Sequence, residues 1–305
     1  MNKETNDVRE QLRAYLTKTG ATQSEVAKRI GTSSALISSY LSGTYKGDVN
    51  KLERLLQEFL KREEERASDK KEHFFVATKQ AKDVLAVLNY AHLYRTIGVV
   101  YGSAGLGKTE SIREYQKQNS QMVYVVCSPV FGNAGILEEI LLKMGRVASG
   151  GKTKLFKSII EALSGTDMLL VFDEAQHLNY KAIETIRTIH DIAGVGVVFV
   201  GTVEVYDRMT GRRNIKYDQI FSRVGIRRYL RPEIKKKDLE EVVLKNFPNV
   251  EKDGIKFLYE RAQEAGAMRK VFMMLRMANN IAKNNGNVIT KEILKEAEKL
   301  LWGRV

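Results

Sequence analysis

The sequence predicts an α/β protein: an all-α N-terminal domain, a domain built on a parallel β-sheet, and a C-terminal helical domain. Three observations predict this order. Helical periodicity without strand-like runs fills residues 1–66. Short apolar runs then alternate with helical segments, which is typical of strands buried on both faces of a parallel sheet. After about residue 231 the strand-like runs stop, and only helical segments follow.

Shifts in composition place the domain boundaries. The expected domains are residues 1–66, 67–232 and 233–305. The charged run 61–72 has no apolar face, so it is expected to be a fraying helix end followed by a linker. The strand-like runs are residues 97–101, 122–127, 168–173 and 195–201. The C-terminal helical segments begin near residues 236, 253 and 268 and after residue 290.

The overall charge favours a polyanionic partner, with a soluble protein that merely has a basic surface as the alternative. The 305-residue chain carries 50 Lys and Arg against 37 Asp and Glu, a net charge of +13, which suits nucleic acid or an anionic membrane. No membrane anchor is expected, because the longest apolar run, 195–203, is far shorter than the roughly 20 residues of a spanning helix. The single cysteine, Cys127, cannot form an internal disulfide, so a reducing cytoplasm is the expected location.

Residues 102–109 match the phosphate-binding loop pattern G-x-x-x-x-G-K-[ST]. The loop follows a strand-like run and opens a helical one, which is the context that this motif requires. Glycines let backbone N–H groups turn toward phosphates, and the helix N-terminus adds positive potential. Lys108 would neutralise the β- and γ-phosphates of ATP, and the Thr109 hydroxyl would ligate Mg²⁺. The expected nucleotide-binding residues are Gly102, Ser103, Ala104, Gly105, Leu106, Gly107, Lys108, Thr109 and Glu110.

A second apolar run, downstream of that loop, ends in Asp173 and Glu174. Open α/β sheets bind ligands at the carboxyl ends of their strands, where these two carboxylates would lie. Asp173 suits the Mg²⁺ shell, and Glu174 is placed to polarise the attacking water. The two motifs together predict an ATP-hydrolysing site with ATP and Mg²⁺ as its cofactors.

Residues 22–43 resemble the helix-turn-helix units of phage repressors. Ala27 is small where two helices would cross closely, and Gly31 supplies the tight turn. The recognition helix would span residues 33–41, and its hydroxyls, without Lys or Arg, predict weak sequence preference. The expected DNA contacts are Ser33, Ser34, Ser38 and Tyr40. A helical bundle that contacts protein remains the alternative, because this helix lacks basic residues.

Basic residues concentrate outside the N-terminal domain of residues 1–66, which is called the head below. Residues 205–237 contain eleven Lys and Arg against three Asp and Glu, and a second cluster flanks the glycine pair at 150–151. Either cluster could line a DNA-facing channel in an assembled ring or helix. The expected DNA contacts in the second cluster are Lys143, Arg146, Lys152 and Lys154.

The nucleotide-site residues, together with three further motifs, resemble the AAA+ ATPases. Thr202 ends an apolar run, as the sensor 1 residue of that family does. Residues 221–223 (Phe-Ser-Arg) resemble the motif that carries the arginine finger, and Arg269 resembles sensor 2. Other candidates for the finger are Arg208, Arg212 and Arg213. The resemblance implies these catalytic residues: Lys108, Glu174, Thr202, Arg223 and Arg269.

Over its whole length the chain resembles the Mu-type family of phage transposition B proteins, ATP-dependent activators of target DNA. The likeness covers the head, the charged linker, the Phe74 lead-in, the loop, the Asp-Glu-Ala run and the helical C-terminus. It implies polymerisation on double-stranded DNA as a homo-oligomeric ring or filament, delivery of that DNA to a transposase, and disassembly on hydrolysis. It also implies the cytoplasm of a bacterial host. Two other interpretations remain: an ATP-gated helix-turn-helix transcription regulator, and a helicase or replication-initiation loader.

Overall fold

The computed structural model describes residues 3–69, 74–209, 222–264, 266–283 and 286–303. The chain forms two compact units, Met1–His73 and Phe74–Val305. The further division of the second unit at residue 232 stays a prediction. Among the described residues, no helix is both long enough and apolar enough to cross a membrane.

The first unit is a set of helices around one apolar core. Its helices are Lys3–Thr19 (α1), Gln23–Ile30 (α2), Ser34–Ser42 (α3) and Val49–Asp69 (α4). A capping box between Thr22 and Glu25 starts α2. Gly31 ends α2 with a φ of 73°, a left-handed conformation that glycine adopts at little cost, and so allows the tight turn into α3. The core residues are Val8, Leu12, Val26, Ala27, Ile37, Tyr40, Leu41, Leu52, Leu56 and Phe59.

The second unit is built on a five-stranded sheet in the order β2-β3-β4-β1-β5. The strands are Ile97–Gly102 (β1), Met122–Val126 (β2), Leu169–Asp173 (β3), Gly196–Gly201 (β4) and Val224–Leu230 (β5). Their described pairings are all parallel. The central strands β1, β3 and β4 are buried almost throughout, as strands covered on both faces must be. The prediction of an α/β fold with a parallel sheet is confirmed.

Strand β5 has no counterpart among the predicted runs. It forms one edge of the sheet beside β1, and most of its residues are exposed, including Arg227 and Arg228. An edge strand needs no continuous apolar run, so its sequence does not carry the signal of a buried strand. Charged side chains on such an edge also discourage pairing with another chain.

Helices cover both faces of the sheet, each face with its own apolar core. One core is shared by Lys79–Leu93 (α5), Lys108–Gln118 (α6), Lys236–Asn246 (α11), Lys252–Ala262 (α12), Ala267–Lys283 (α13) and Lys291–Trp302 (α14). The other is shared by Asn133–Lys143 (α7), Lys152–Leu163 (α8), Tyr180–Ala193 (α9) and Val203–Met209 (α10). Because the strands are parallel, Gly102, Asp173 and Gly201 all mark the same edge of the sheet.

Candidate nucleotide-binding site

The loop between β1 and α6 is shaped by two glycines in the left-handed backbone region. Gly105 has a φ of 82° and Gly107 a φ of 79°, which residues with a Cβ adopt only at a cost. A Cβ on Gly105 would also lie 2.2 Å from the carbonyl oxygen of Gly266. Gly107 caps α6, so the first N–H groups of that helix, which have no partner inside it, face the loop. This is the cradle form that binds phosphates.

Lys108 folds back over its own loop. Its Nζ donates to the carbonyl oxygens of Gly102 at 2.9 Å and Ser103 at 2.8 Å. Burial lowers the pKa of Lys108, and the nearby carboxylates of Asp173 and Glu174 oppose that shift. The ammonium group is therefore within electrostatic reach of both carboxylates, and an anionic phosphate would be a stronger acceptor than the loop carbonyls.

Asp173, at the end of β3, is only 2% exposed and is bound by two hydroxyls. Thr109 Oγ1 donates to Asp173 Oδ2 at 2.8 Å, and Tyr124 Oη donates to the same oxygen at 3.0 Å. A hydroxyl and a carboxylate oxygen in contact are hard donors of the kind that Mg²⁺ prefers, with nucleotide phosphates completing its shell. The residues present therefore fit Mg²⁺, with Thr109 and Asp173 as its predicted ligands.

Tyr124 is a site residue that sequence reasoning missed. It lies in β2 among apolar residues, and nothing in that run distinguishes it from a core tyrosine. Only the pairing of β2 with β3 brings its hydroxyl to Asp173. Burial, reinforced by the Asp173 charge, raises the pKa of Tyr124, so this hydroxyl stays protonated and donates.

Glu174 follows Asp173 with a left-handed backbone, at a φ of 54°. Its backbone N–H donates to Asp173 Oδ1 at 2.9 Å, and its Oε2 accepts from Nε2 of Gln176. The other end of that amide, Gln176 Oε1, accepts from the backbone N–H of Thr202 at 3.2 Å. Thr202 Oγ1 is buried and has no hydrogen-bond partner within the described part of the chain. Gln176 is a second site residue that sequence reasoning missed.

The start of α13 contacts the loop directly. The backbone N–H of Met268 donates to the carbonyl oxygen of Gly105 at 3.2 Å. The charge of Arg269, the next residue, acts to lower the pKa of Lys108, so the two cations are neighbours. The structure thus brings these predicted residues to one edge of the sheet: Lys108, Thr109, Asp173, Glu174, Thr202 and Arg269.

Comparison with known proteins identifies the family. Residues 91–209 match a family model described as an AAA domain. The chain is 30% identical over 297 residues to the ATP-dependent target DNA activator B of Escherichia phage Mu, covering 96% of this chain and 94% of that protein. The chain therefore belongs to the family of the Mu-type ATP-dependent target DNA activators B. A further member, the Mu-like prophage FluMu DNA transposition protein B of Haemophilus influenzae, is 30% identical over 263 residues, covering 85% and 91%.

Two solved structures share the fold of this family member. Domain III of the replication initiation protein DnaA from Thermotoga maritima matches with a TM-score of 0.51 at 18% identity, covering 75% of this chain and 94% of that chain. A RuvB mutant from the same organism matches with a TM-score of 0.50 at 15% identity, covering 73% and 68%. At these identities the likeness concerns the fold alone, and it agrees with the five-stranded parallel sheet described above.

Arg223 lies far from the nucleotide loop of its own chain. It precedes β5, whose Val224 pairs with Ile97 at the amino end of β1. The loop follows the carboxyl end of β1, roughly 16 Å away at about 3.3 Å per residue. Arg223 Nε instead donates to Asp191 Oδ1 at 3.1 Å. A role at the site of a neighbouring copy stays a prediction. Phe221 and the competing Arg212 and Arg213 lie outside the described residues, as does the side chain of Arg208.

The predicted DNA-contacting residues of the head do not share one environment. Ser34 and Ser38 are exposed on α3, and Ser33 is exposed at its N-cap, where its hydroxyl accepts from the backbone N–H of Leu36. Tyr40 is completely buried, and its hydroxyl donates to Glu53 at 2.8 Å. The prediction that Tyr40 contacts DNA is therefore wrong, because its side chain belongs to the core of the head.

The basic cluster around Gly150 and Gly151 lies on the protein surface. Lys143, Arg146, Lys152 and Lys154 are all exposed. Lys152 and Lys154 occupy the first turn of α8, which holds no acidic residue and has no side-chain cap. Cations at a helix N-terminus are disfavoured by the helix dipole, so this end of α8 concentrates positive potential and open N–H groups. An anion such as a DNA phosphate would relieve both.

Proposed function

We propose that this chain is an ATPase that binds target DNA in its ATP-bound state, delivers that DNA to a transposase, and releases it on hydrolysis. The observation that carries the proposal is the 2.8 Å hydrogen bond between Thr109 and Asp173, because it joins a phosphate-binding loop to a buried carboxylate. The relatives support the rest, since those from phages Mu and D108 are named ATP-dependent target DNA activators B.

The described geometry suits hydrolysis of ATP to ADP and phosphate. Lys108 would exchange its bonds with the loop carbonyls for bonds with the β- and γ-phosphates. Mg²⁺, held by Thr109 and Asp173, would supply Lewis-acid neutralisation of phosphate charge. Glu174 would accept a hydrogen bond from the attacking water and polarise it. Arg269 and the buried Thr202 hydroxyl would stabilise charge on the transferred phosphoryl group.

A neighbouring copy would complete this site with Arg223. The Arg223 side chain is 45% exposed and lies at the amino ends of the strands, whereas its own loop follows the carboxyl end of β1. It is therefore remote from the site that its own chain builds. We therefore propose a homo-oligomer, a ring or helical filament, in which each interface pairs one loop with the next subunit's Arg223. Such an assembly forms and disassembles with the nucleotide state.

Double-stranded DNA would bind along the exposed basic cluster of Lys143, Arg146, Lys152 and Lys154. Lysine and arginine contacts with phosphates release counterions and carry no sequence information, so target choice would be broad. The exposed serines of α3 would add hydroxyl contacts of weak preference. The setting for this activity is the cytoplasm of a bacterial host, where a transposase would collect the bound DNA.

A nuclease footprint on a long duplex tests the proposal. With ATP, the wild-type chain is expected to protect DNA broadly, and without ATP it is expected to leave the duplex open. Lys108→Ala should abolish both ATP binding and this protection. Lys117→Ala, which removes an exposed lysine from the same helix, is the control and should behave as wild type. Protection of one discrete site would indicate a transcription regulator, and ATP-driven strand separation would indicate a helicase or loader.

A further inference from the structure

Gln176 uses both ends of its side-chain amide to connect two strands of the sheet. It lies in the short 3₁₀ helix Ala175–His177 that follows β3. Its Nε2 donates to the carboxylate of Glu174, and its Oε1 accepts from the backbone N–H of Thr202, just after β4. Only one orientation of the amide satisfies both partners, because Thr202 N–H can only donate and the carboxylate can only accept.

The end of β4 makes room for this amide. A Cβ on Gly201 would lie 2.3 Å from Gln176 Oε1 and 2.5 Å from Cγ2 of Val205. Any larger residue at position 201 would therefore push the amide away from the Thr202 N–H. The absence of a Cβ at Gly201 therefore gives the Gln176 amide the space to approach β4 this closely.

Both the backbone and the side chain of Glu174 are restrained by hydrogen bonds. Its backbone holds the left-handed conformation, with its N–H bound to Asp173 Oδ1 at 2.9 Å. Its carboxylate could still rotate about the side-chain bonds, and the hydrogen bond from Gln176 restrains that rotation. Beside the same amide, the Thr202 hydroxyl is buried without a partner among the described residues.

We propose that Gln176 is a positioning residue that fixes the Glu174 carboxylate relative to the end of β4. The proposal rests on the function proposed above, in which Glu174 polarises the attacking water. Gln176 itself touches neither nucleotide nor water in this scheme. It sets the direction of the carboxylate, and it makes that direction depend on the position of Thr202.

The test compares Gln176→Met with Gln118→Met in the full-length chain. Methionine keeps the length of glutamine but forms neither hydrogen bond. Gln118 is the matched control, because its amide also donates to a glutamate, Glu114 at 3.2 Å, at the far end of α6. Gln176→Met should lower kcat for ATP about tenfold, the effect of losing one charge-assisted hydrogen bond. The Kd of a non-hydrolysable ATP analogue should stay within about twofold, since phosphate binding does not use Gln176.

A double-mutant cycle separates positioning from a purely structural role. In the Glu174→Gln background, single-turnover rates should be the same with and without Gln176→Met, because the group being positioned is gone. Gln176→Asn, whose shorter amide cannot span both partners, should reproduce the kcat loss of Gln176→Met. Thermal unfolding of each variant checks that it is folded.

Three outcomes would overturn the inference. A wild-type kcat in both Gln176 variants would show that the amide does not position the carboxylate. An equal loss in the Glu174→Gln background would show that Gln176 acts through something other than Glu174. Normal turnover by Glu174→Gln alone would remove the function proposed for Glu174, and with it the role of Gln176, while leaving ATP binding intact.

Discussion

Glu174 is restrained on both sides of its Cα. Its left-handed backbone costs a residue other than glycine roughly 1–3 kcal/mol, and such strain persists only where the surroundings impose it. Here the Asp173 side chain binds its N–H, and Gln176 binds its carboxylate. The structure therefore gives up local stability to fix the direction of one carboxylate, as the role proposed for Glu174 toward the attacking water requires.

Replacement of Glu174 by glutamine should separate binding from turnover. Glu174→Gln keeps the shape of the side chain but loses the basic oxygen, so kcat should fall by about 10²–10⁴. ATP affinity should stay unchanged, and complexes with DNA should become long-lived. Single-turnover hydrolysis and DNA dissociation rates measure these effects, with the exposed Glu161→Gln as control. Normal turnover would place the base at another residue.

The buried Tyr40 gives a second residue-level prediction. Tyr40→Phe removes the hydrogen bond to Glu53, a residue that is only 8% exposed, and should lower the free energy of unfolding of the head by about 1–3 kcal/mol. Faster amide exchange in α3 would report this loss. Tyr45→Phe, at a less buried tyrosine of the same unit, should have a smaller effect. Unchanged exchange would mean that the hydrogen bond to Glu53 does not stabilise the head.

The motif residues could be predicted because chemistry fixes their type and spacing. A phosphate loop needs glycines before Lys108, and Asp173 must end a strand to reach Thr109. Tyr124 and Gln176 could not be found in this way, because their contacts depend on which strands lie side by side. The position of Tyr40 was available from the sequence, since its spacing from Ile37 and Leu41 places all three on one face of a helix.

At the scale of single elements, the start of α8 concentrates positive charge on the surface of the nucleotide unit. Lys152 and Lys154 stand in its first turn without an acidic neighbour there. Replacing both with alanine should weaken DNA binding for all sequences alike and reduce the slope of log affinity against log salt by roughly two per subunit. Titrations over a range of salt concentrations, with ATP saturating, measure this slope.

The control for this pair is Lys295→Ala with Lys299→Ala, two exposed lysines of α14. It makes the same change in net charge on a different helix. A salt slope that falls equally in both double variants would mean that net charge alone, and not the start of α8, governs DNA binding. An unchanged slope in the Lys152 and Lys154 variant would exclude these residues as phosphate contacts.

The scale of the elements also shows why one strand was missed. Buried strands such as β3 and β4 can be predicted from unbroken apolar runs, because both of their faces are covered by helices. At the sheet edge, β5 exposes most of its side chains, and its arginines resemble those of a solvated loop. Its position became clear only through its pairing with β1.

At the scale of the whole molecule, Arg223 and Lys108 should complement each other across subunits. Each of the variants Arg223→Ala and Lys108→Ala alone should lose ATPase activity, since a finger supplied in trans accounts for about 10³–10⁵ in rate in other nucleotide hydrolases. Mixing them should restore part of the activity, at interfaces that pair the two intact halves. Steady-state ATPase assays over a series of mixing ratios measure the recovery.

Arg228→Ala is the matched control for Arg223→Ala. Both arginines lie at β5, their side chains are exposed to 48% and 45%, and each is paired with an aspartate of its own chain. Arg228→Ala should keep wild-type turnover without a partner variant. Absence of recovery at every ratio, although the Arg223 and Lys108 variants co-assemble, would argue against a shared site.

The two compact units allow a test of which part binds DNA. Deleting residues 1–73 leaves the second unit whole, because that unit begins at Phe74. The N–H of Phe74 donates to Asn246 Oδ1 of the same unit at 2.9 Å. With ATP saturating, this deletion should cost less DNA affinity than the Lys152 and Lys154 double variant, and should mainly slow association. Binding titrations and association rates compare the two. Complete loss of binding on deletion would favour a head that reads an operator.

The contact between the loop and the first turn of α13 ties nucleotide affinity to the folding of the C-terminal helices. Gly105 accepts from Met268, and it packs so closely on Gly266 that even a methyl group would not fit. Behind this contact, Val271, Met274 and Leu275 are buried in the core that those helices share with α5 and α6. By thermodynamic linkage, any ligand that binds only the formed loop raises the free energy of unfolding of this whole core. A methyl group lost deep in that core, far from any phosphate, would then weaken ATP binding wherever it loosens the start of α13.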